Sequence, residues 1–299
     1  MLAPLGLITR GLTARRVKKP GFDPGIPVIC VGNAGVGGAG KTILVLDLLA
    51  RLPGRPFALT RGYKGSLHGP VQVRPGADPR AAGDEALLLA QAAPTILARD
   101  RAAGARLALA EGATAIVMDD GLQNPALKKK RSLLVIDGGY GFGNGLLLPA
   151  GPLREPVAAA ARCQAAVLIG DDRTQALACL PPGLPVLRAE LVASCAVSLA
   201  GAKVVAFAGI GRPEKFFETV AGLEARIAAR IPFADHHAYT AADLHRLSVM
   251  AARLEARLVT TAKDFVKLPP ALKSQVTVVS VHLAWRDEAM LQNFLSGIV

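Results

Sequence analysis

One segment constrains this chain more than any other. GVGGAGKT at 35–42 matches G-x-x-x-x-G-K-[ST] and lies between an apolar run, PVICVG (27–32), and an alanine- and leucine-rich stretch, KTILVLDLLARL (41–52). Glycines at a strand-to-helix turn let backbone N–H groups curl around phosphate oxygens at a helix N-terminus, where the dipole already favours anions. Gly35, Gly37, Gly38, Ala39 and Gly40 are expected to form that cradle. Lys41 is expected to reach the β- and γ-phosphates, and the Thr42 hydroxyl to ligate Mg²⁺.

The rest of the sequence fits that frame. FALTRGY (57–63), TILARD (95–100), AIVMDD (115–120), SLLVID (132–137) and AAVLIG (165–170) read as strands, with DEALLLAQAA (84–93) as a further helix. Near-continuous apolar strands separated by helices predict an α/β fold of P-loop NTPase type, a mostly parallel sheet covered by helices on both faces. DDRTQ, PPGLP and a polar turn around Ser194 make residues 171–200 read as a linker. KVVAFAGIG (203–211), a helix from Pro213, RLVTTAKD (257–264) and VTVVSVHLAW (276–285) then make a second, smaller α/β domain. The expected division is 1–20, 21–200 and 201–299. At 299 residues, two domains agree with a prior of about 150 residues each.

Ligands of parallel sheets sit beyond the carboxyl ends of the strands, and the acids of Asp119-Asp120-Gly121 fall at such an end. An apolar strand ending in acids is the usual partner of a P-loop, holding Mg²⁺ directly or through water. The second lysine of partitioning ATPases is replaced here by Val36, and no N-K-x-D guanine motif is present; Thr261-Ala262-Lys263-Asp264 has the wrong spacing. ATP is therefore the expected nucleotide.

The net charge of +12 calls for an anionic partner. With 4% aromatics there is little material for base-stacking platforms, and no groove-reading motif appears, so nucleic acid is not expected. Cys30, Cys163, Cys179 and Cys195 form no CxxC pair and read as core thiols in a reducing compartment. No run of about 18 apolar residues exists, and the apolar residues at the N-terminus precede the basic ones, the reverse of a signal peptide. Residues 1–20 carry Arg10, Arg15, Arg16, Lys18 and Lys19 with no acid, and Leu2, Leu5, Ile8 and Leu12 share helical spacing. A basic amphipathic helix of this kind can lie in a membrane interface, although Gly6 and Gly11 weaken it. A nucleotide switch acting on a protein partner remains an alternative output for such a P-loop.

Several strings remain unexplained by nucleotide binding: TRGY (60–63), GDEALL (83–88), GNGLLLPAGPLREP (143–156), AFAGIGRPEKFF (206–217), FADHH (233–237) and LVTTAKD (258–264). With VGNAGVGGAGKT and DDGLQ they resemble, in the same order, the tetraacyldisaccharide 4′-kinase family. The resemblance implies a P-loop kinase that moves the ATP γ-phosphoryl group to a sugar 4′-hydroxyl of an acylated glucosamine disaccharide, using Mg²⁺. It implies a peripheral location on the cytoplasmic face of the inner membrane, and a monomer is expected. It assigns Asp84 as the catalytic acidic residue, against a plain reading as a helix N-cap. His236, rather than His237, supports that base from the C-terminal domain, and the two domains close to bring them together. Arg154 and Glu155 match the active-site segment, and Arg61, Tyr63, Gln123 and Asn124 fall on the substrate side. Where the family commonly reads DDG-aromatic-Q-His, this chain has Leu122 and Asn124, and Asn124 cannot titrate.

Overall fold

The structure, a computed structural model, describes residues 3–298; Leu2 lies outside them. Twelve strands make one sheet: β1 (Val28–Gly32), β2 (Pro56–Thr60), β3 (Val71–Val73), β4 (Thr95–Leu97), β5 (Ala115–Asp119), β6 (Arg131–Asp137), β7 (Ala165–Ile169), β8 (Val186–Cys195), β9 (Lys203–Ala208), β10 (Arg226–Pro232), β11 (Arg257–Thr261) and β12 (Val276–Trp285). The helices are α1 (Ala3–Val17), α2 (Lys41–Arg51), α3 (Pro79–Ala82), α4 (Asp84–Ala92), α5 (Arg101–Ala110), α6 (Pro213–Gly222), α7 (Ala241–Arg253), α8 (Ala262–Phe265), α9 (Pro270–Lys273) and α10 (Glu288–Ser296).

The strand order is β10-β9-β11-β12-β8-β7-β6-β1-β5-β2-β4-β3. Every neighbouring pair from β8 to β4 is parallel, and β3 closes that edge antiparallel. β9 to β12 are parallel among themselves, and β12 meets β8 antiparallel. The central strands are buried on both faces, which explains their unbroken apolar sequences. Along β1 the side chains alternate between two cores. Val28 and Cys30 join the side covered by Ala105 and Ala108 of α5, while Ile29 and Val31 join the side covered by Leu44, Val45 and Leu48 of α2. In the second half, Val204 and Ala206 pack beneath Phe216, Phe217 and Val220 of α6, and Val205 and Phe207 beneath Leu247 of α7. Each large side chain buried this way contributes roughly 1.5–3 kcal/mol.

Residues 171–200 are not a linker throughout. Ser194 lies within β8, opposite Ser280 of β12. The polar residues that read as a turn belong to a strand left half open to solvent, with Leu191 and Val192 exposed. Its pairing partner lies far along the chain, so no local pattern announces it. The last helix also departs from chain order: Leu291 and Leu295 of α10 pack with Leu44 and Leu48 in the core covered by α2.

The N-terminal segment is helical despite its glycines. Gly6 lies against Leu147, where an added Cβ would stand 3.1 Å from that side chain. The Thr9 and Thr13 hydroxyls donate to the carbonyls of Leu148 and Arg154. Ile8 and Leu12 are exposed. Among the described residues, no helix is long and apolar enough to cross a membrane.

Candidate active site

The cradle runs from the end of β1 to the start of α2. Gly37 and Gly40 have φ of 115° and 85°, which L side chains rarely adopt. A Cβ on Gly37 or Gly38 would meet nothing within 4 Å, so this side of the loop is open. No acid stands in the first turn of α2, leaving its N–H groups to an anion. The Lys41 ammonium donates to Asn33 Oδ1 at 3.0 Å and to the Gly37 carbonyl at 3.3 Å, and lies 3.8 Å from Asp120 Oδ1. Ala39 sits half-buried in the loop.

The 146–156 segment is laced to this loop. Gly35 bridges Leu153, Val36 N–H donates to the Pro152 carbonyl, and Arg154 N–H donates to the Ala34 carbonyl. That backbone stitching aims the Arg154 guanidinium at Asp120, with Nη1 donating to both carboxylate oxygens at 3.0 and 2.8 Å. Asp120 itself has φ 52°, a left-handed backbone unusual outside glycine. Glu155 is buried and turned towards Arg162 and Gln123. Gln123 Nε2 also donates to the Asn33 carbonyl at 2.9 Å. Leu122 is buried beneath Gly32, where any added Cβ would fall 2.7 Å from its side chain. Asn124 Oδ1 accepts from Ala126 N–H at 2.8 Å, which holds the turn that follows β5.

Asp119 ends β5, fully buried, and Thr42 Oγ1 donates to its Oδ2 at 3.4 Å. Its Oδ1 has no hydrogen-bond partner. Burial, with Asp120 alongside, pushes this carboxyl up to about 6. An orphaned carboxylate oxygen beside a hydroxyl, next to an open phosphate cradle, fits a hard divalent cation such as Mg²⁺. Arg101, which nothing in the sequence singled out, is buried under the same acids and donates to the Ala98 and Asp119 carbonyls. Burial depresses its guanidinium to about 10.

Asp84 opens α4, but it caps nothing. Gly83 holds the N-cap position with φ 85°, and an added Cβ there would strike the Tyr63 carbonyl at 2.5 Å. The carboxylate instead meets His236: Nδ1 donates to Asp84 Oδ2 at 2.9 Å, with both side chains at most one-tenth exposed. His236 has φ 64° and its Nε2 lies 3.5 Å from Asp235 Oδ2. Tyr63 stands edge-on to its ring at 5.9 Å. His237 turns away, to Asp243 at the start of α7. Glu85 pairs with Lys263 at 2.7 Å; burial works to raise its carboxyl, but Lys263 outweighs it and leaves it below the usual range. Glu85 also adds to the upward push on Asp119. Arg61 is exposed and near enough to Arg101 to oppose its charge. Lys267 and Asp264 join this group, neither of them expected: Lys267 Nζ is 3.4 Å from Asp84 Oδ2 and 2.8 Å from Asp264 Oδ1.

The chain is similar to known proteins in sequence and in fold. A sequence profile for the family described as Tetraacyldisaccharide-1-P 4'-kinase matches residues 1–299. The Tetraacyldisaccharide 4'-kinase of Gluconacetobacter diazotrophicus is 56% identical over 293 residues, covering 96% of this chain and 90% of that protein. The protein of the same name from Rhodospirillum centenum is 50% identical, covering 100% and 91%. The fold is similar to that of LpxK from Aquifex aeolicus in a crystal structure with ATP, with a TM-score of 0.82, 25% identity and coverage of 99% and 98%.

Proposed function

The chain belongs to the tetraacyldisaccharide-1-P 4'-kinase family, and on that premise we propose how its residues divide the reaction. It is an enzyme of lipid A biosynthesis that transfers the γ-phosphoryl group of ATP to the 4′-hydroxyl of a tetraacyldisaccharide 1-phosphate.

Asp84 is the base. It accepts the 4′-hydroxyl proton as that oxygen bonds to the γ-phosphorus and the bond to the β–γ bridging oxygen breaks, releasing ADP. His236 Nδ1–H orients the carboxylate, and the single observation carrying this reading is their 2.9 Å contact in a nearly buried setting. Lys41 and the loop N–H groups hold the β- and γ-phosphates; Arg154 is placed to offset charge on the transferred group. Thr42, Asp119 and Asp120 would hold Mg²⁺, which when bound neutralises charge on the phosphate oxygens. Glu155 and Gln123 brace Arg162 and the cradle rather than touch the reacting atoms, and Arg61 and Tyr63 border the acceptor side.

Residues 21–200, with α10 packed into their core, act as the nucleotide-holding unit, and the segment between β8 and β12 forms the smaller unit that brings His236. The enzyme works peripherally on the cytoplasmic face of the inner membrane. Support comes from exposed Ile8 and Leu12 beside Arg10, Arg15 and Arg16 on α1, since each basic residue near an anionic leaflet adds about 1 kcal/mol. The activity is tested by transfer of label from [γ-³²P]ATP to a tetraacyldisaccharide 1-phosphate in detergent micelles. Labelled glycolipid is expected; its absence in protein that still binds ATP would refute the assignment.

A further inference from the structure

Three strings left over from the nucleotide site, around Gly209, His236 and Asp264, meet in one closed ring. Asp264 Oδ2 accepts from Gly209 N–H at 3.1 Å. The Gly209 carbonyl accepts from His236 N–H at 3.1 Å, and His236 Nδ1 donates to Asp84 Oδ2. Lys267 closes the circuit, in ionic contact with Asp84 Oδ2 at 3.4 Å and Asp264 Oδ1 at 2.8 Å. Gly209 sits tightly in this ring: an added Cβ would stand 3.1 Å from both Asp264 Oδ1 and the Ala234 carbonyl, so either neighbour would have to give. Thr261 Oγ1 donates to Asp264 Oδ2 at 2.8 Å, so Asp264 is pinned to the end of β11.

The Lys267 side chain is 3% exposed and that of Asp264 is 0%. A buried ion pair gains little net stability, because desolvation offsets most of the Coulomb attraction. Stability alone is therefore a poor account of a lysine sealed in beside a candidate base. Lys263, one helical turn earlier, grips Glu85, so adjacent acids of α4 are each taken by one lysine. Both contacts to Asp84, from His236 and from Lys267, fall on Oδ2, which leaves Oδ1 for the acceptor hydroxyl.

We infer that Lys267, anchored by Asp264, is a positioning residue that fixes the Asp84 carboxylate so that Oδ1 faces the acceptor. This rests on the reading of Asp84 as base. The test is a double-mutant cycle on the full chain, with kcat and KM for ATP and glycolipid measured alongside thermal unfolding. Lys267→Met is expected to lower kcat about 100-fold, the scale of a small misplacement of a reacting group, with both KM values within about twofold. Lys267→Arg is expected to recover part of that loss. In an Asp84→Asn background Lys267→Met is expected to cost nothing further, because both act through one carboxylate. Full turnover in Lys267→Met, or a loss that adds to that of Asp84→Asn, would overturn the inference. If Lys267→Met fails to fold, the pair Asp264→Asn with Lys267→Met removes both buried charges together and is judged by the same two outcomes. High turnover in Asp84→Asn alone would instead refute the base itself, so the two failures are distinct.

Discussion

His236 Nδ1 stands 2.9 Å from Asp84 Oδ2, joining the loop after β10 to the first residue of α4 across 152 positions of sequence. The contact unites the two halves of the chain at the carboxylate proposed as the base. Asp84→Asn keeps the shape and removes the base, so kcat should fall about 10³-fold, within the range for general-base loss, while ATP affinity changes less than about twofold. His236→Ala should cost less, about 10–100-fold, because the carboxylate remains. Steady-state kinetics with a fluorescent-nucleotide titration separates the two effects, and weakened ATP binding in either variant would count against these roles.

Arg154 reaches both oxygens of Asp120 through a single nitrogen. Arg154→Gln should lower kcat about 100-fold or more, as expected for loss of a charge-stabilising donor. ATP binding should persist, since Lys41 and the loop amides hold the phosphates. A variant with normal kcat and raised KM for ATP would instead make Arg154 a ground-state binder.

Asp119 gives the protein a pH signature. Its carboxyl is raised from 3.8 to about 6 in the folded state, so the fold binds this proton more tightly than the unfolded chain. The stability it contributes is complete below pH 3.8 and is lost as pH rises through about 6, a loss of the order of 3 kcal/mol. Asp119→Asn cannot ionise and should therefore gain on the wild type between pH 4 and pH 7 when metal is absent. MgATP should narrow that gap above pH 6, because the ionised Asp119 of the wild type gains the metal's charge and the variant does not. Calorimetric Tm measured against pH checks both halves, and parallel curves for the two proteins would refute the shift.

On α1, Ile8 and Leu12 are exposed while Gly6, Thr9 and Thr13 dock on the 147–154 segment. Changing Ile8 and Leu12 together to Asp should sharply weaken sedimentation with anionic phospholipid vesicles. Activity on detergent-dispersed acceptor should stay within about threefold. Undiminished vesicle binding would move the membrane contact to another surface.

The cradle was legible because everything that defines it is contiguous: glycines, lysine and threonine within GVGGAGKT, bounded by a strand and a helix. The acids closing β5 were legible for the same reason. Lys267 and Asp264 were not, because their meaning depends on Asp84, which lies far away in sequence and shares no periodicity with them. Arg101 belongs to no motif in the sequence; only its burial beneath Asp119 distinguishes it. Glu155 shared a string with Arg154, yet consecutive residues on an irregular segment face different ways, and it turned to Arg162. β8 failed for a tertiary reason, since half its pairing comes from β12.

The antiparallel match of β8 with β12 sets Cys195 directly opposite Val279. The chain thus leaves and re-enters the larger unit at adjoining points, and what intervenes is topologically an insertion. α10 then seals the core it left behind, with Trp285 Nε1 donating to Asp47 of α2. A gene cut near codon 200 would yield two unsealed fragments, whereas excising the loop between positions 195 and 279 would spare the host. Such a miniature would grasp ATP and lack the partners that arm its carboxylate, a binder made from a catalyst by one deletion.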